Sequence, residues 1–183
     1  MKLLFISLGC DKNLVDSEEM LGMLAADGHE IVDDEDEAEV IIVNTCCFIG
    51  DAKEESVNTI LEMAEKKKAG TCKVLIVTGC MAQRYKKEIS EEIPEVDAIL
   101  GTTSYGDISK AVKEAQAGRH FEEYKSIDFL PDISGKRMLT TGGHFAYLKI
   151  AEGCDKHCTY CIIPSLRGNF RSVPMERLES EAQ

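Results

Sequence analysis

A chain of 183 residues can bury one sizeable core and carry a further piece, because compact domains run to roughly 100–200 residues. A formal charge of −12 argues against the sequence-independent grip on phosphate backbones used by basic nucleic-acid binders, and points to a basic partner instead. No uninterrupted apolar run approaches the ~20 residues of a membrane span, and the first residues lack a secretory pattern, so a soluble, cytoplasmic protein without membrane attachment is expected.

Leu3–Leu8 is a short apolar run of strand type, followed by a helix starting around Asp16 that buries Leu21, Met23 and Leu24 and stops at Gly28. Ile31–Val32 and Val40–Val43 are the next strand candidates; between them Asp33 to Glu39, with six carboxylates in seven residues, reads as a solvated connection. Asp51 with Glu54 reads as a capping box opening a helix whose apolar stripe is Ala52, Val57, Ile60, Leu61 and Ala64 and which ends near Gly70. Val74–Val77 is a strand, and a helix from near Met81 must end before Pro94. A weak strand at Ala98–Leu100 precedes a helix from Asp107, with Ile108, Ala111, Val112 and Ala115 on one face, that ends at Gly118. This rhythm predicts an α/β domain over residues 1–118, a flavodoxin-like parallel sheet of order 2-1-3-4-5 with flanking helices. Residues 119–143 have no sustained periodicity and carry Pro131 and the Gly142-Gly143 pair, so they read as a linker. From residue 144 a new unit begins, with Phe145–Ile150 as a strand and Pro174 opening a helix over Met175–Leu178. Lys136 to Arg171 holds six Lys or Arg against two acids, a local surplus that suits an acidic ligand or an ordinary surface.

Eight cysteines in a reducing compartment are read as ligands, catalysts or packing rather than disulfides. Cys154, Cys158 and Cys161 place three thiols within eight residues, on a loop that can wrap one metal centre. A cubane iron–sulfur cluster with three protein thiolates leaves one iron open for chemistry; the alternative is a zinc loop, whose fourth ligand would have to be the awkwardly spaced His157. A second set follows from the fold: Cys10, Cys46 and Cys80 each directly follow an apolar strand. In the predicted order these are neighbouring strands about 4.8 Å apart, and ligands of such sheets sit beyond the carboxyl ends, so the three thiols should converge. Gly9 and Gly79 would let the backbone turn closely round a bulky group. Three separate buried cysteines are the alternative reading. Cys47 should point away from Cys46, Cys72 lies at the far end of its strand, and both are treated as spare. Asn44 and Arg84 sit near enough to hydrogen-bond sulfur, or to serve as cap and surface residues, while His29, His120 and His144 are isolated.

The Cys-x3-Cys-x2-Cys spacing with Tyr160 before the last cysteine resembles the radical S-adenosylmethionine superfamily. With the three strand-end cysteines ahead of it, the whole chain resembles the methylthiotransferases of that superfamily. Leu8-Gly9-Cys10-Asp11-Lys12-Asn13 and Thr45-Cys46-Cys47-Phe48 look like the branch acting on an aspartate of the twelfth small-subunit ribosomal protein, although that branch usually has proline where Asp11 stands and a small residue where Cys47 stands. The resemblance implies two 4Fe–4S clusters, one on Cys154, Cys158 and Cys161 and one on Cys10, Cys46 and Cys80, with S-adenosylmethionine chelated by the first and Tyr160 beside it. It implies that reductive cleavage of S-adenosylmethionine gives a radical that activates the aspartate β-carbon, to which a methylated sulfur held at the second cluster is delivered. A ribosomal protein substrate, a one-electron reductant and a sulfur donor follow as partners, with no direct nucleic-acid binding by this chain. Residues 144–183 would then be the start of a radical S-adenosylmethionine (β/α) barrel, and since such barrels need roughly 200 residues or more, a truncated chain without turnover of its own is expected. Methylthiolation of transfer-RNA adenosine, a flavodoxin-like electron carrier and a zinc-stabilised module are the rival functions.

Overall fold

A computed structural model gives the fold of residues 1–131 and 137–183. Six strands, β1 (Lys2–Ser7), β2 (Glu30–Ile31), β3 (Val40–Thr45), β4 (Val74–Gly79), β5 (Ala98–Leu100) and β6 (Phe121–Glu123), form one sheet in the order β2-β1-β3-β4-β5-β6. All pairs are parallel. Every residue of the central β3 and β4 is buried, as their near-continuous Val/Ile/Leu runs require of strands covered on both faces. Alternate side chains supply two cores. On one face Ile41, Val43, Leu75 and Val77 meet Ile60 and Met63 of α2 (Gly50–Lys68), Met81 of α3 (Cys80–Arg84) and Ile89 of α4 (Lys86–Glu92). On the other, Val40, Ile42, Val74 and Ile76 meet Met20 and Leu24 of α1 (Asp11–Ala26) and Ile108, Ala111 and Val112 of α5 (Ile108–Gln116).

The flavodoxin-like order is therefore present, with a strand added. β6 lies inside the stretch expected as a linker: three residues, two of them Glu, pair with β5 at the sheet edge, too short a run to show a period. Residues 132–136 of that expected linker, including Lys136, lie outside the described residues. α1 starts at Asp11 rather than near Asp16, because its first turns are polar and give no apolar stripe, yet Asn13, Asp16, Ser17, Glu18 and Glu19 are all buried. The capping box at Asp51 is not formed: Ile49 is the N-cap of α2, and Asp51 lies in its first turn. Leu61 is 47% exposed, and Ser56 and Met63 are buried with Ile60 and Ala64 instead. The helix expected from Met81 begins one residue earlier and is split at Tyr85 into α3 and α4.

The strand expected at Phe145–Ile150 is absent. A strand needs a neighbour to satisfy its amides, and the pairing here is confined to two residues, β7 (Ala151–Glu152) running antiparallel to β8 (Arg171–Ser172). Phe145 and Ile150 are left 51% and 62% exposed. Between these strands lies α6 (Ile163–Arg167), and α7 (Met175–Ala182) follows them at the expected Pro174. Among the described residues no helix is long and apolar enough to cross a membrane.

Candidate functional site

The parallel register decides where the strand-end cysteines fall. Ser7 pairs with Asn44 and Thr45 with Gly79, so β1, β3 and β4 end level and their next residues leave the same edge. Cys10 becomes the N-cap of α1, Cys46 follows β3, and Cys80 opens α3. Gly79 has φ 92° and ψ −156°, a backbone region essentially reserved for glycine, and a Cβ there would lie 2.6 Å from the Thr45 carbonyl oxygen. At Gly9, with φ 95°, a Cβ would lie 2.6 Å from the Cys46 Cβ. Both glycines are thus required for the close approach of the three turns.

Hydrogen bonds fix these turns. Asn13 Nδ2 donates to the carbonyls of Leu8 and Thr45, each at 2.9 Å, tying the ends of β1 and β3 together. Asn44 Nδ2 donates to the Asn13 carbonyl and to Ser17 Oγ, so it holds α1 against the sheet. Ser56 Oγ accepts from the Cys46 amide at 3.0 Å and donates to the Cys46 carbonyl at 2.8 Å.

Cys10, Cys46 and Cys80 line one cavity of about 1100 Å³, and Cys154 of the second segment lines it too, with Lys12 and Arg167. Cys154 is placed by its amide, which donates to the Gly168 carbonyl at 3.1 Å. Cys161 closes a turn onto the Cys158 carbonyl, but Cys161 is half-buried, Cys158 is exposed, and neither lines the cavity. Tyr160 is 90% exposed and does not line it, and His157 is exposed with φ 45°. Cys47 and Cys72 lie in the core: burial pushes the Cys47 thiol up to about 11, and the Cys72 thiol, also raised by burial, donates to the Val74 carbonyl at 3.0 Å. Burial likewise raises the Cys80 thiol, against the pull of the Arg167 guanidinium beside it.

Among the described residues no three His, Cys, Asp or Glu side chains gather as closely as one bare ion requires. A multi-iron centre takes one thiolate per iron, so its ligands stand around it. Three thiols on the rim of one cavity, on turns that admit no Cβ at Gly9 and Gly79, are a donor set of that kind.

The largest feature missed from sequence is a buried polar layer joining the second segment to α1. Arg167 donates to Asp16 Oδ2 at 2.7 Å, to Glu152 Oε2 at 2.8 Å and to Asn13 Oδ1 at 2.5 Å, and Lys149 pairs with the other Asp16 oxygen. Glu18, fully buried, accepts from the Thr140 amide at 2.7 Å and faces Arg137 Nε at 3.1 Å. Arg177 reaches Glu19 at 3.3 Å. Burial raises Glu19, while Glu152, although burial opposes it, is held low by Arg167, Lys149 and Lys12. The signal in the sequence was the basic surplus between Lys136 and Arg171, of which Arg137, Lys149 and Arg167 meet the acidic side of α1.

Residues 2–101 match the uncharacterized protein family UPF0004. Over all 183 residues the chain is 63% identical to the ribosomal protein uS12 methylthiotransferase RimO of Lachnoclostridium phytofermentans, covering 42% of that protein. It is 50% identical over the same span to the proteins of that name from Trichlorobacter lovleyi and Clostridioides difficile, covering 41% of each. The chain therefore spans about two-fifths of the length of these relatives.

Proposed function

The chain belongs to the UPF0004 family, and on that premise we propose that it contributes the strand-end cysteine domain and the opening of the radical S-adenosylmethionine unit to a methylthiotransferase that modifies an aspartate β-carbon of ribosomal protein uS12. The relatives above are named as methylthiotransferases of ribosomal protein uS12 and are more than twice as long. The observation that carries the reading is the shared cavity, onto which Cys10, Cys46 and Cys80 of the sheet and Cys154 of the second segment all open.

In this reading Cys10, Cys46 and Cys80 hold one 4Fe–4S cluster, and Cys154, Cys158 and Cys161 hold another that binds S-adenosylmethionine beside Tyr160. When bound, these groups supply one-electron cleavage of S-adenosylmethionine and a carrier for the transferred sulfur. The chain's own residues do the placing. Gly9 and Gly79 let the turns at the strand ends approach closely, and Asn13, Asn44 and Ser56 hold the turns that bear the thiols. Exposed Phe48 and Ile49, on the same cavity, give it an apolar side that limits water. A one-electron reductant and a sulfur donor complete the proposal, with the sheet as the cluster domain, running past residue 118 to take in β6, and a cytoplasmic location.

The test is anaerobic reconstitution of the chain with iron and sulfide, followed by iron counting and electron paramagnetic resonance, beside a Cys10→Ala/Cys46→Ala/Cys80→Ala variant. The variant should lose about four irons and keep a cubane signal from Cys154, Cys158 and Cys161. Equal iron in both proteins would make the strand-end thiols packing residues; yellow flavin absorption would favour an electron carrier.

A further inference from the structure

Arg167 belongs to the second segment, yet most of its contacts come from elsewhere. It is 5% exposed at the end of α6, and its two terminal nitrogens are bound by Asp16 and Asn13 of α1 and by Glu152 of β7. Two carboxylates and an amide oxygen hold the planar fork in one orientation. The Asn13 oxygen that accepts from Arg167 lies 3.9 Å from Cys80 Sγ, and Arg167 lines the cavity with Cys10, Cys46 and Cys80. Burial disfavours a cation here, and Asp16, Cys80 and Glu152 outweigh it. Lys12, also on the cavity, is turned away to the Ala151 carbonyl at 2.7 Å and Glu152 at 3.1 Å. Asp51 and Glu55 face the cavity as well, but both are exposed and so weakened by solvent and salt.

Resting on the reading that Cys10, Cys46 and Cys80 hold an iron–sulfur centre, we propose that Arg167 is a positioning residue that carries a fixed positive charge from the second segment to that centre. The charge stabilises the reduced, more negative state and so sets the potential at which the strand-end site takes an electron. Cluster potential responds to local charge, hydrogen bonding and exposure, and outer partners of ligands tune it. The first domain's site then reaches its working potential when the second segment is docked.

The experiment uses the full 183-residue chain with Cys154, Cys158 and Cys161 changed to Ala, so that one centre reports. This background and its Arg167→Lys, Arg167→Gln and Arg167→Met derivatives are reconstituted with iron and sulfide and titrated against potential by electron paramagnetic resonance. Gln and Met should be harder to reduce by at least tenfold in the equilibrium, about 59 mV for one electron, and Lys should stay near the parent. Gln, which keeps an amide donor toward Asp16, serves if Met does not fold. Loss of iron from Gln and Met but not from Lys, with the amides of β3 and β4 still protected from exchange, is the stronger form of the same result. Iron at the parent level with an unchanged potential in both neutral variants overturns the proposal while leaving the ligand reading intact. No iron in the parent background overturns that reading, and the proposal with it.

Discussion

Gly79→Ala is the perturbation that most directly weighs the turn at the strand ends. The substitution puts a side chain at φ 92° and ψ −156°, where strain alone costs of order 1–3 kcal/mol. The added Cβ also meets backbone, the Thr45 oxygen at 2.6 Å and the Thr45 nitrogen at 2.9 Å, neither of which can swing aside. Accommodating it means shifting β3 against β4, and overpacking of this kind costs typically 1–3 kcal/mol more. The sum, about 2–6 kcal/mol, is a large part of the roughly 5–15 kcal/mol that holds a domain folded. Gly118→Ala is the control: its φ is 71°, and nothing stands within 4 Å of the new Cβ, so it tests positive φ without the clash. Urea unfolding followed by circular dichroism measures both. With a slope near 2 kcal/mol per molar urea, Gly79→Ala should lower the midpoint by about 1–3 M and Gly118→Ala by no more than about 1 M. Equal shifts would refute the reasoning, because they would leave no role for the contact with Thr45.

Alkylation with iodoacetamide at pH 8 should modify exposed Cys10 and Cys158 first and leave Cys47 unmodified; a buried thiol pushed up to about 11 is about one part in a thousand thiolate at that pH, its reactivity rising only as the pH nears 11. Prompt modification of Cys47, read by peptide mass spectrometry, would contradict its place in the core. Ile76→Ala, at a fully buried position, should cost about 2–5 kcal/mol, whereas Leu61→Ala, on the helix stripe expected to be buried but 47% exposed, should stay within about 0.5 kcal/mol. Asp16→Ala leaves the buried cations Arg167 and Lys149 without their shared partner, at about 3–5 kcal/mol. Hydrogen exchange should then speed up at the Cys154 and Val173 amides, which bond to Gly168 and Ile150, with β3 and β4 unchanged; uniform loss across the sheet would count against local undocking.

The sheet was legible because its central strands are buried on both faces, which writes Val-Ile-Ile-Val and Val-Leu-Ile-Val into the chain without interruption. The strand-end cysteines followed from the same fact, since parallel neighbours in register present equivalent residues at one edge. What failed shares one cause: each element depended on a partner that local pattern does not encode. Phe145–Ile150 has strand composition but lacks a ladder along its length. Asp51 and Glu54 have the capping spacing, but the N-cap falls two residues earlier, at Ile49. The polar side of α1 carries no local sign of burial, because Asp16, Glu18 and Glu19 are acids, and only the basic residues over a hundred positions away make them core.

That polar layer bears on how the cavity is assembled. Buried ion pairs are a poor source of net stability, since desolvation offsets most of their attraction, so a chain needing only adhesion between its two parts would do as well with Leu and Val. Directional contacts fix relative placement, which an apolar contact leaves free to slide. Here the direction runs from Asp16 and Asn13 through the Arg167 fork to Gly168, whose carbonyl takes the Cys154 amide. A shift of α6 along α1 would break the Arg167 bonds to Asp16 and Asn13 together and carry Cys154 away from the cavity it shares with Cys10, Cys46 and Cys80. The exchange of the Cys154 amide in Asp16→Ala therefore measures more than local stability: it reports whether the charges on α1 hold the second cysteine loop in register with the first site.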